Sequence, residues 1–216
     1  LQNGSLNLAN TSVYRSQKTT NSTSGIYHTI ESKDVFAVGS RDMGSRSHVL
    51  DDVEFSRGER VLDVGCNAGL LCEYLHDRGC KVTGVDNDPY IIVAAKVLAN
   101  ILGRDIEYSC MDLDYVEDIG EFDTVMLFSV FHHTRNPPEN AKKIVKSCKR
   151  IIIETRLTEN GKQPVGGVWV DTTKWSFQSL DDLIIYLEKT FQGFKFQRRV
   201  GFVDKGRYVL ELKRGT

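Results

Sequence analysis

The fold predicted for this chain is decided by residues 61–71, Val61-Leu62-Asp63-Val64-Gly65-Cys66-Asn67-Ala68-Gly69-Leu70-Leu71. An apolar run followed by glycines and then by leucines predicts a buried strand, a sharp turn and the start of a helix. Gly65 allows the tight turn and the close approach of a ligand to the main chain. Gly69 allows the first helical turn either to pack closely or to face that ligand.

The charge around this turn indicates which ligand is compatible with it. A dinucleotide-binding loop has three glycines, because a pyrophosphate lies against the helix N-terminus. Here Cys66 and Asn67 occupy the turn, and the carboxylate of Asp63 precedes it. Asp63 would repel a pyrophosphate and attract a ligand that carries an ammonium and a sulfonium group. An ordinary strand–helix turn without a ligand remains the alternative on these residues alone.

Three further predicted strands end at polar residues or acids. The second strand ends at Asp86, about twenty residues beyond the turn, where a carboxylate accepts hydrogen bonds from ribose hydroxyls. The third runs into Met111-Asp112-Leu113, and the fourth ends at Phe128-Ser129. Four strand ends in this order predict one ligand site at the carboxyl edge of a sheet.

Strands and helices alternate along the chain. We predict strands at 61–64, 81–86, 106–110, 124–128, 150–154, 195–202 and 208–212, and helices at 70–78, 89–102, 140–147 and 180–191. This alternation predicts an α/β fold with a mostly parallel sheet and helices on both faces. The turn at 204–206 predicts a closing hairpin, so that the last strand is antiparallel.

Composition and charge narrow the class of protein. The chain has 216 residues, which suits one α/β domain, and its net charge of −1 disfavours nonspecific binding of nucleic acid. Its five cysteines include no C-x-x-C pair, which favours reduced thiols over disulfides or a zinc site. We see no apolar run long enough to span a bilayer and no secretory signal. We therefore expect a cytoplasmic protein, in the host cytoplasm if the source is viral.

The domain organisation follows from composition. Residues 1–25 are rich in Asn, Ser and Thr, which indicates a flexible linker or the remnant of a tag. Residues 26–216 are expected to form a single domain with an N-terminal lid at 26–53, and excision of this domain from a larger multidomain protein is one hypothesis. The sequence leaves the oligomeric state open.

His132 and His133 follow the fourth predicted strand and are the candidate catalytic residues. Histidine can remove a proton from an acceptor hydroxyl near neutral pH. Adjacent side chains on an extended segment point to opposite sides, so we favour His133 as the residue that faces the cleft. The alternative is that both histidines only hydrogen-bond the loop and the edge of the cofactor. A metal site would need further ligands, such as Glu154 or Asp171, and no recognisable spacing connects them, so we predict none.

The D-x-G-x-x-x-G turn with the acids that follow it resembles the class I S-adenosylmethionine-dependent methyltransferases. That resemblance implies a Rossmann-like sheet and S-adenosylmethionine as the cofactor, with S-adenosylhomocysteine as its product. It implies that the methionine part of the cofactor is bound by Asp63, Gly65, Cys66, Asn67 and Gly69. It also implies that the ribose is bound by Asp86 and Asn87, and the adenine by Met111, Asp112 and Leu113, with Phe128 beside the cofactor.

A closer resemblance covers about residues 26–157. Ile26-Tyr27-His28-Thr29-Ile30 and Arg41-Asp42-Met43-Gly44-Ser45-Arg46, with the turn and the histidines, are similar to the methyltransferase domain of bacterial O-antigen chain-terminating methyltransferase/kinases. This resemblance implies that Tyr27 and Arg41 contact the cofactor. The histidine segment also resembles, more distantly, the tRNA wobble-uridine carboxymethyl and methyl transferases. This chain lacks an obvious basic face, which disfavours RNA.

Charged and aromatic residues beyond the fourth strand form the predicted acceptor site. Sugars bind through hydrogen bonds to charged groups and through apolar faces laid on aromatic rings. The candidates are Arg135, Glu154, Arg156, Trp169 and Trp175. Alternatively, the two tryptophans close the core beneath a long loop. We predict O-methylation of a sugar hydroxyl on a glycan or nucleotide sugar; a tRNA or small-metabolite methyltransferase and a non-catalytic cofactor-binding module are the alternatives.

Overall fold

The computed structural model describes residues 6–7, 30–31, 35–37, 44–156, 177, 179–203 and 207–215. They fall into two compact units, which we describe separately. The first unit lies within Leu1–His48 and Phe55–Met111, and the second lies within Val49–Glu54 and Asp112–Thr216.

A small sheet near the N-terminus belongs to the first unit. Strands β1 (Leu6–Asn7) and β2 (Ile30–Glu31) flank β3 (Val35–Ala37), with β1 parallel and β2 antiparallel to it. Helix α1 follows at Gly44–Asp51. Strand β1 thus lies in the segment predicted to be a linker, and the rest of that segment is outside the described residues.

The first unit also holds three parallel strands in the order β6-β5-β4. These are β4 (Arg60–Val64), β5 (Lys81–Asp86) and β6 (Glu107–Cys110), connected through helices α2 (Leu70–Asp77) and α3 (Pro89–Ile101). The strands are parallel because each helix returns the chain to the start of the next strand. Asp88 begins α3 as its cap, accepting hydrogen bonds from the backbone N–H groups of Tyr90 and Ile91.

The second unit holds four strands in the order β7-β8-β10-β9. Strand β7 runs parallel to β8, whereas β10 is antiparallel to both of its neighbours. The elements in chain order are β7 (Thr124–Phe128), a 3₁₀ turn (Phe131–His133), α4 (Pro137–Ser147), β8 (Arg150–Arg156), α5 (Leu180–Thr190), β9 (Phe194–Val203) and β10 (Arg207–Arg214).

The predicted class, an α/β fold with a mostly parallel sheet and an antiparallel last strand, is confirmed. Several boundaries differ from the prediction, among them the start of α4 and the end of β8. Helix α4 begins at Pro137 rather than at residue 140, because proline suits the first turn of a helix. Strand β8 continues to Arg156 because β10 pairs with it as far as Arg207. The first difference has a local cause, whereas the second follows from a strand partner that local sequence does not reveal.

A buried carboxylate anchors the end of the predicted lid in the second unit. Glu211 is 2% exposed and forms ion pairs with Arg150 at 2.8 Å and Arg198 at 2.7 Å. The same two guanidinium groups donate to the backbone carbonyls of Glu54 and Asp52. Residues 49–54 are therefore held to the strands by charge-assisted hydrogen bonds.

Candidate functional site

The turn after β4 is hydrogen-bonded to the end of β5. The backbone N–H groups of Gly65 and Cys66 donate to the carbonyl of Val85 at 2.8 and 2.9 Å, and the N–H of Asn67 donates to Asp86 Oδ2 at 2.9 Å. Gly65 and Asn67 have positive φ values, 75° and 52°. Asparagine is among the few residues with a side chain that tolerate this region. The turn thus presents its main chain beside the Asp86 carboxylate.

The Asp86 carboxylate already accepts two backbone hydrogen bonds, from Asn67 and, at 3.1 Å, from Asp88. Burial raises its pKa, although these hydrogen bonds oppose that effect. Asn67 Oδ1 is buried and has no hydrogen-bond partner among the described residues. A buried acceptor without a donor is costly, so this position calls for a ligand or water that donates. Acceptor oxygens here suit the ammonium and hydroxyl groups of S-adenosylmethionine.

Asp63 lies on β4 just before the turn and is 2% exposed. Burial raises its pKa to about 7, opposed by the hydrogen bond from the Cys72 thiol, at 3.3 Å, and by the charge of Arg46. The nearby Asp86 charge adds to the increase. An isolated buried carboxylate is unstable as an anion unless a cation accompanies it. Asp63 therefore suits a cationic ligand.

The two cysteines of this turn and helix face the protein interior. Cys66 is 5% exposed and Cys72 is fully buried. The Cys66 thiol donates to the Asn67 carbonyl at 3.5 Å, and the Cys72 thiol donates to Asp63 Oδ2 at 3.3 Å. Burial of the Cys66 side chain leaves its backbone as the part that can contact a ligand.

Gly69 was predicted either to allow close packing or to face the ligand, and the geometry favours packing. A Cβ atom at Gly69 would lie 2.2 Å from the hydroxyl oxygen of Tyr108, and one at Gly84 would lie 2.6 Å from the same ring. The Tyr108 ring thus fills the space over two glycines. Tyr108 was not predicted from sequence as part of the site, because nothing in the polar strand that carries it indicates this contact.

Two further residues predicted to bind the cofactor lie at the ends of β5 and β6. Asn87 is exposed and directly follows Asp86. Met111 is half-buried, and its N–H donates to the Asp86 carbonyl at 2.9 Å. Both are close to Asp86, and their contacts with ribose and adenine remain predictions.

Residues 112–116 of the second unit form a compact turn. Asp112 Oδ1 accepts the N–H of Asp114 at 2.9 Å, and the Asp112 carbonyl accepts the N–H of Tyr115 at 3.0 Å. Leu113 and Phe128 are 5% and 7% exposed. Their packing in the core accounts for both residues, and their predicted contact with the cofactor remains a prediction.

The histidine pair lies in a 3₁₀ turn, so the expectation of an extended segment is wrong. The imidazole rings of His132 and His133 are neighbours, with centroids 4.1 Å apart, rather than on opposite sides of the chain. The tighter turn brings successive side chains closer than a strand does. His133 is exposed and His132 is half-buried.

Ser129 links the end of β7 to a buried ion pair. Its φ of 55° is unusual for serine, and its hydroxyl donates to Glu154 Oε1 at 2.5 Å while its N–H donates to the Glu154 carbonyl. Glu154 pairs with Arg207 at 3.2 Å, and these residues are 1% and 7% exposed. The prediction that Glu154 contacts a sugar is therefore replaced by a role in holding Ser129, because its carboxylate is buried and engaged.

Arg135 is exposed, as a substrate contact requires, and is tied to the turn at 112–116. Its backbone N–H donates to the Asp114 carboxylate, and its guanidinium donates to the Tyr115 hydroxyl. Asp114 was not predicted as a functional residue, since nothing in the sequence links it to a helix that begins more than twenty residues later.

Several predicted residues cannot be placed. Tyr27, Arg41, Trp169, Trp175 and the side chain of Arg156 lie outside the described residues. In the part of the chain that is described, no cluster of three His, Cys, Asp or Glu side chains is arranged to hold a metal ion. Within the same part, no helix has the length and apolar character needed to cross a membrane.

Comparison with known families identifies the type of domain. Residues 62–155 match the sequence profile of a family described as a methyltransferase domain. This segment includes the turn after β4, Asp86 and the histidine pair.

Relatives with curated functions share the same region. The chain is 37% identical over 97 residues to a protein of Idiomarina loihiensis named ubiquinone biosynthesis O-methyltransferase, an alignment that covers 44% of this chain and 38% of the relative. A protein of the same name from Coxiella burnetii is 30% identical over 136 residues, covering 62% of this chain and 52% of the relative. The chain thus spans about half the length of these relatives or less.

Solved structures share the fold. The bifunctional kinase-methyltransferase WbdD superposes with a TM-score of 0.62 at 19% identity, over 88% of this chain and 43% of that one. Magnesium protoporphyrin IX methyltransferase of Synechocystis PCC 6803, crystallised with bound S-adenosylmethionine, superposes with a TM-score of 0.56 at 21% identity, over 80% of this chain and 79% of that one. These likenesses confirm the Rossmann-like methyltransferase fold. Residues 62–155 therefore match a methyltransferase domain, and the solved structures share its fold.

Proposed function

We propose that this chain is an S-adenosylmethionine-dependent methyltransferase that methylates a hydroxyl oxygen of its acceptor. The acceptor oxygens around the turn after β4 carry the cofactor part of the proposal, and the relatives named O-methyltransferase support the oxygen acceptor. Asp63, Asn67 Oδ1 and Asp86 offer carboxylate and amide oxygens where a dinucleotide site offers backbone N–H groups. When bound, S-adenosylmethionine supplies an activated methyl group on its sulfonium.

Different residues of the chain bind chemically different parts of the cofactor. Asp63 and Asn67 Oδ1 accept hydrogen bonds from the ammonium group, and Asp86 accepts them from the ribose. Asp112 accepts one from the adenine amino group. Backbone hydrogen bonds from Asn67 and Asp88 hold the Asp86 carboxylate in place before binding, which lowers the entropic cost of orienting the cofactor.

Proton removal from the acceptor hydroxyl is assigned to the histidine turn. His133 is the exposed member of the pair, which supports its predicted role as the base, while the half-buried His132 packs against its ring. Ser129 directs the chain into this turn, because its strained backbone is held by both the carbonyl and the carboxylate of Glu154. Arg207 neutralises that carboxylate.

Two acceptor classes are supported by different observations. Identities of 30 to 37% with relatives named ubiquinone biosynthesis O-methyltransferase favour a hydroxylated ubiquinone precursor. The fold likeness to WbdD over 88% of the chain agrees with the sequence resemblance to glycan-terminating enzymes, and it is the basis for retaining a sugar hydroxyl as the second candidate. The relatives' higher identity supports the ubiquinone precursor as the first candidate.

An assay with methyl-labelled cofactor tests the proposal. The acceptors are hydroxylated ubiquinone precursors, deoxyhexose-terminated oligosaccharides and unmodified tRNA, and binding of S-adenosylhomocysteine is measured separately by calorimetry. Label transfer to either hydroxyl acceptor supports O-methylation and identifies the class. Transfer to tRNA alone contradicts the proposal. Uptake of NADH without uptake of S-adenosylhomocysteine contradicts the cofactor assignment as well.

A further inference from the structure

Asp114 joins two segments of the second unit that are distant in sequence. Its carboxylate accepts hydrogen bonds from the backbone N–H groups of Arg135, at 2.9 Å, and Asn136, at 3.2 Å. It also accepts one from the side-chain amide of Asn140 at 2.7 Å. Asn136 precedes α4, which begins with two prolines that have no N–H, so Asp114 is bonded to the two residues before the helix rather than to its first turn.

The residues on both sides of Asp114 contact the same second segment. Lys143 Nζ donates to the Leu113 carbonyl at 2.7 Å, and the Arg135 guanidinium donates to the Tyr115 hydroxyl. Three consecutive residues are therefore bonded to residues 135–143. We call these contacts the Asp114 clamp.

The charge state of Asp114 favours the clamp. Burial alone would raise its pKa, but the hydrogen bonds from Arg135, Asn140 and Asn136 together lower it. The carboxylate is thus ionised near neutral pH, where it accepts stronger hydrogen bonds than a neutral group does.

The two clamped segments carry different parts of the candidate site. On one side, Asp112 Oδ1 accepts the N–H of Asp114 at 2.9 Å, and Asp112 is the residue assigned to the adenine amino group. On the other side, residues 135–136 directly follow the turn that carries His132 and His133. One residue thus bonds both to the adenine-binding residue and to the end of the proposed catalytic turn.

We propose that Asp114 is a positioning residue that couples binding of the cofactor's adenine at residues 112–115 to the order of the histidine turn. The inference rests on the proposed function. If opening of residues 135–136 also breaks the clamp and disturbs Asp112, a ligand held by Asp112 must oppose that opening. Cofactor binding then reduces the local opening of the turn that positions the base.

Hydrogen–deuterium exchange tests the coupling without an identified acceptor. The amides of Arg135 and Asn136 are followed by NMR in the whole chain, with and without S-adenosylhomocysteine at about 100 times its dissociation constant. Coupled opening predicts that both amides exchange up to about 100-fold more slowly with the ligand, because ligand and opening compete. The Gly120 amide, which donates to Asp118 outside the clamp, is the internal reference and should change less than about threefold.

Two substitutions separate coupling from general stabilisation. Asp114→Asn removes the charge and half of the acceptor capacity, and is expected to reduce the ligand effect on Arg135 and Asn136 to below about fivefold. Asp118→Asn makes the same change on the same connecting segment outside the clamp, and should preserve the full effect. If Asp114→Asn does not fold, Lys143→Met, which removes the bond to Leu113, is expected to give an intermediate reduction.

The outcomes distinguish this inference from the function on which it rests. Absence of S-adenosylhomocysteine binding to the unaltered chain contradicts the proposed function itself. Binding with unchanged exchange of Arg135 and Asn136 overturns the coupling and leaves the function standing. An equal ligand effect in Asp114→Asn and in the unaltered chain overturns the role of Asp114.

Discussion

The backbone N–H of Asn67 donates to Asp86 Oδ2 over 2.9 Å and so joins the turn after β4 to the end of β5, nineteen residues later in the chain. This bond explains why a turn and a distant acid act as one site. The amide fixes one carboxylate oxygen, and Asp88 fixes the other at 3.1 Å. The orientation of Asp86 is therefore set before any ligand binds.

Asp86→Ala is expected to weaken S-adenosylhomocysteine binding by about 10- to 100-fold, since a hydrogen bond to a charged group contributes about 1.5–3 kcal/mol. Calorimetry measures the change. Asp105→Ala, at an exposed carboxylate of the same unit, is the matched control and should leave affinity unchanged. A loss of less than about threefold for Asp86→Ala would remove the ribose role.

Affinity for S-adenosylhomocysteine should depend on pH through Asp63, whose pKa is about 7. The ligand's ammonium group requires the ionised carboxylate, so affinity should fall by about tenfold for each pH unit below this value. Calorimetric titrations between pH 5 and pH 8 measure the slope. In Asp63→Asn the affinity should be low and nearly independent of pH; an equal slope in both proteins would contradict the assignment.

Asp63 should also make stability depend on pH. Its folded-state pKa of about 7 lies above the ordinary value of 3.8. The native chain therefore binds this proton more tightly than the unfolded chain does, and the resulting stability is complete below the ordinary value and lost as the pH rises through the folded-state pKa. Relative to the unaltered chain, Asp63→Asn should gain on the order of 4 kcal/mol in free energy of unfolding between pH 4 and pH 8. Urea denaturation of both proteins at the two pH values measures this gain. If the difference in free energy of unfolding between the two proteins is the same at pH 4 and pH 8, the raised pKa of Asp63 is contradicted.

Gly69→Ala should destabilise the protein by about 2–5 kcal/mol, because left-handed backbone costs an alanine about 1–2 kcal/mol and overpacking adds about 1–3 kcal/mol. The clash is with Tyr108, 2.2 Å from the added Cβ. Gly103→Ala is the control: its φ is also positive, and nothing lies within 4 Å of the added atom. Denaturant unfolding should show that Gly103→Ala loses only the free energy that the left-handed backbone costs an alanine. Equal losses in free energy of unfolding for the two variants would contradict the packing role of Tyr108.

Arg207→Met should cost about 3–5 kcal/mol in free energy of unfolding, because it leaves the Glu154 carboxylate buried without its charge partner. The control is Lys142→Met, which breaks an exposed pair with Glu139 and should cost less than about 1 kcal/mol. Addition of Glu154→Gln to Arg207→Met should recover part of the loss. Equal costs for the two single variants would mean that the Glu154 pair does not behave as a buried one.

His133→Ala should reduce turnover by about 10²- to 10⁴-fold, the usual contribution of a general base, and leave S-adenosylhomocysteine affinity unchanged. Single-turnover rates with the acceptor found by the label assay measure it. His132→Ala is expected to have the smaller effect, since that side chain is half-buried. Unchanged turnover in His133→Ala would assign the proton transfer elsewhere.

The strand–turn–helix at 61–71, the acid at the end of β5 and the order of strands and helices from β4 onward were predicted from sequence, whereas the small sheet of β1, β2 and β3 was not. These features depend on local properties, namely apolar periodicity, glycines at positive φ and capping residues such as Asp88 and Ser179. Side-chain roles were predicted less well where the local conformation was mistaken. The 3₁₀ turn at His132 and His133 is the clearest case, because no nearby glycine or proline marks its start.

By itself, then, the sequence determined that an acid precedes a glycine turn and that further acids follow neighbouring strands, because residue type and spacing along a strand are local. Tertiary structure alone decided the burial, the partners and the pKa values of those groups. Glu154 meets Arg207 across 53 residues, Tyr108 lies over Gly69 across 39, and Asp63 acquires its raised pKa from burial. Burial and partnership depend on which distant segments the sheet brings together, and charge and proton affinity depend on that environment.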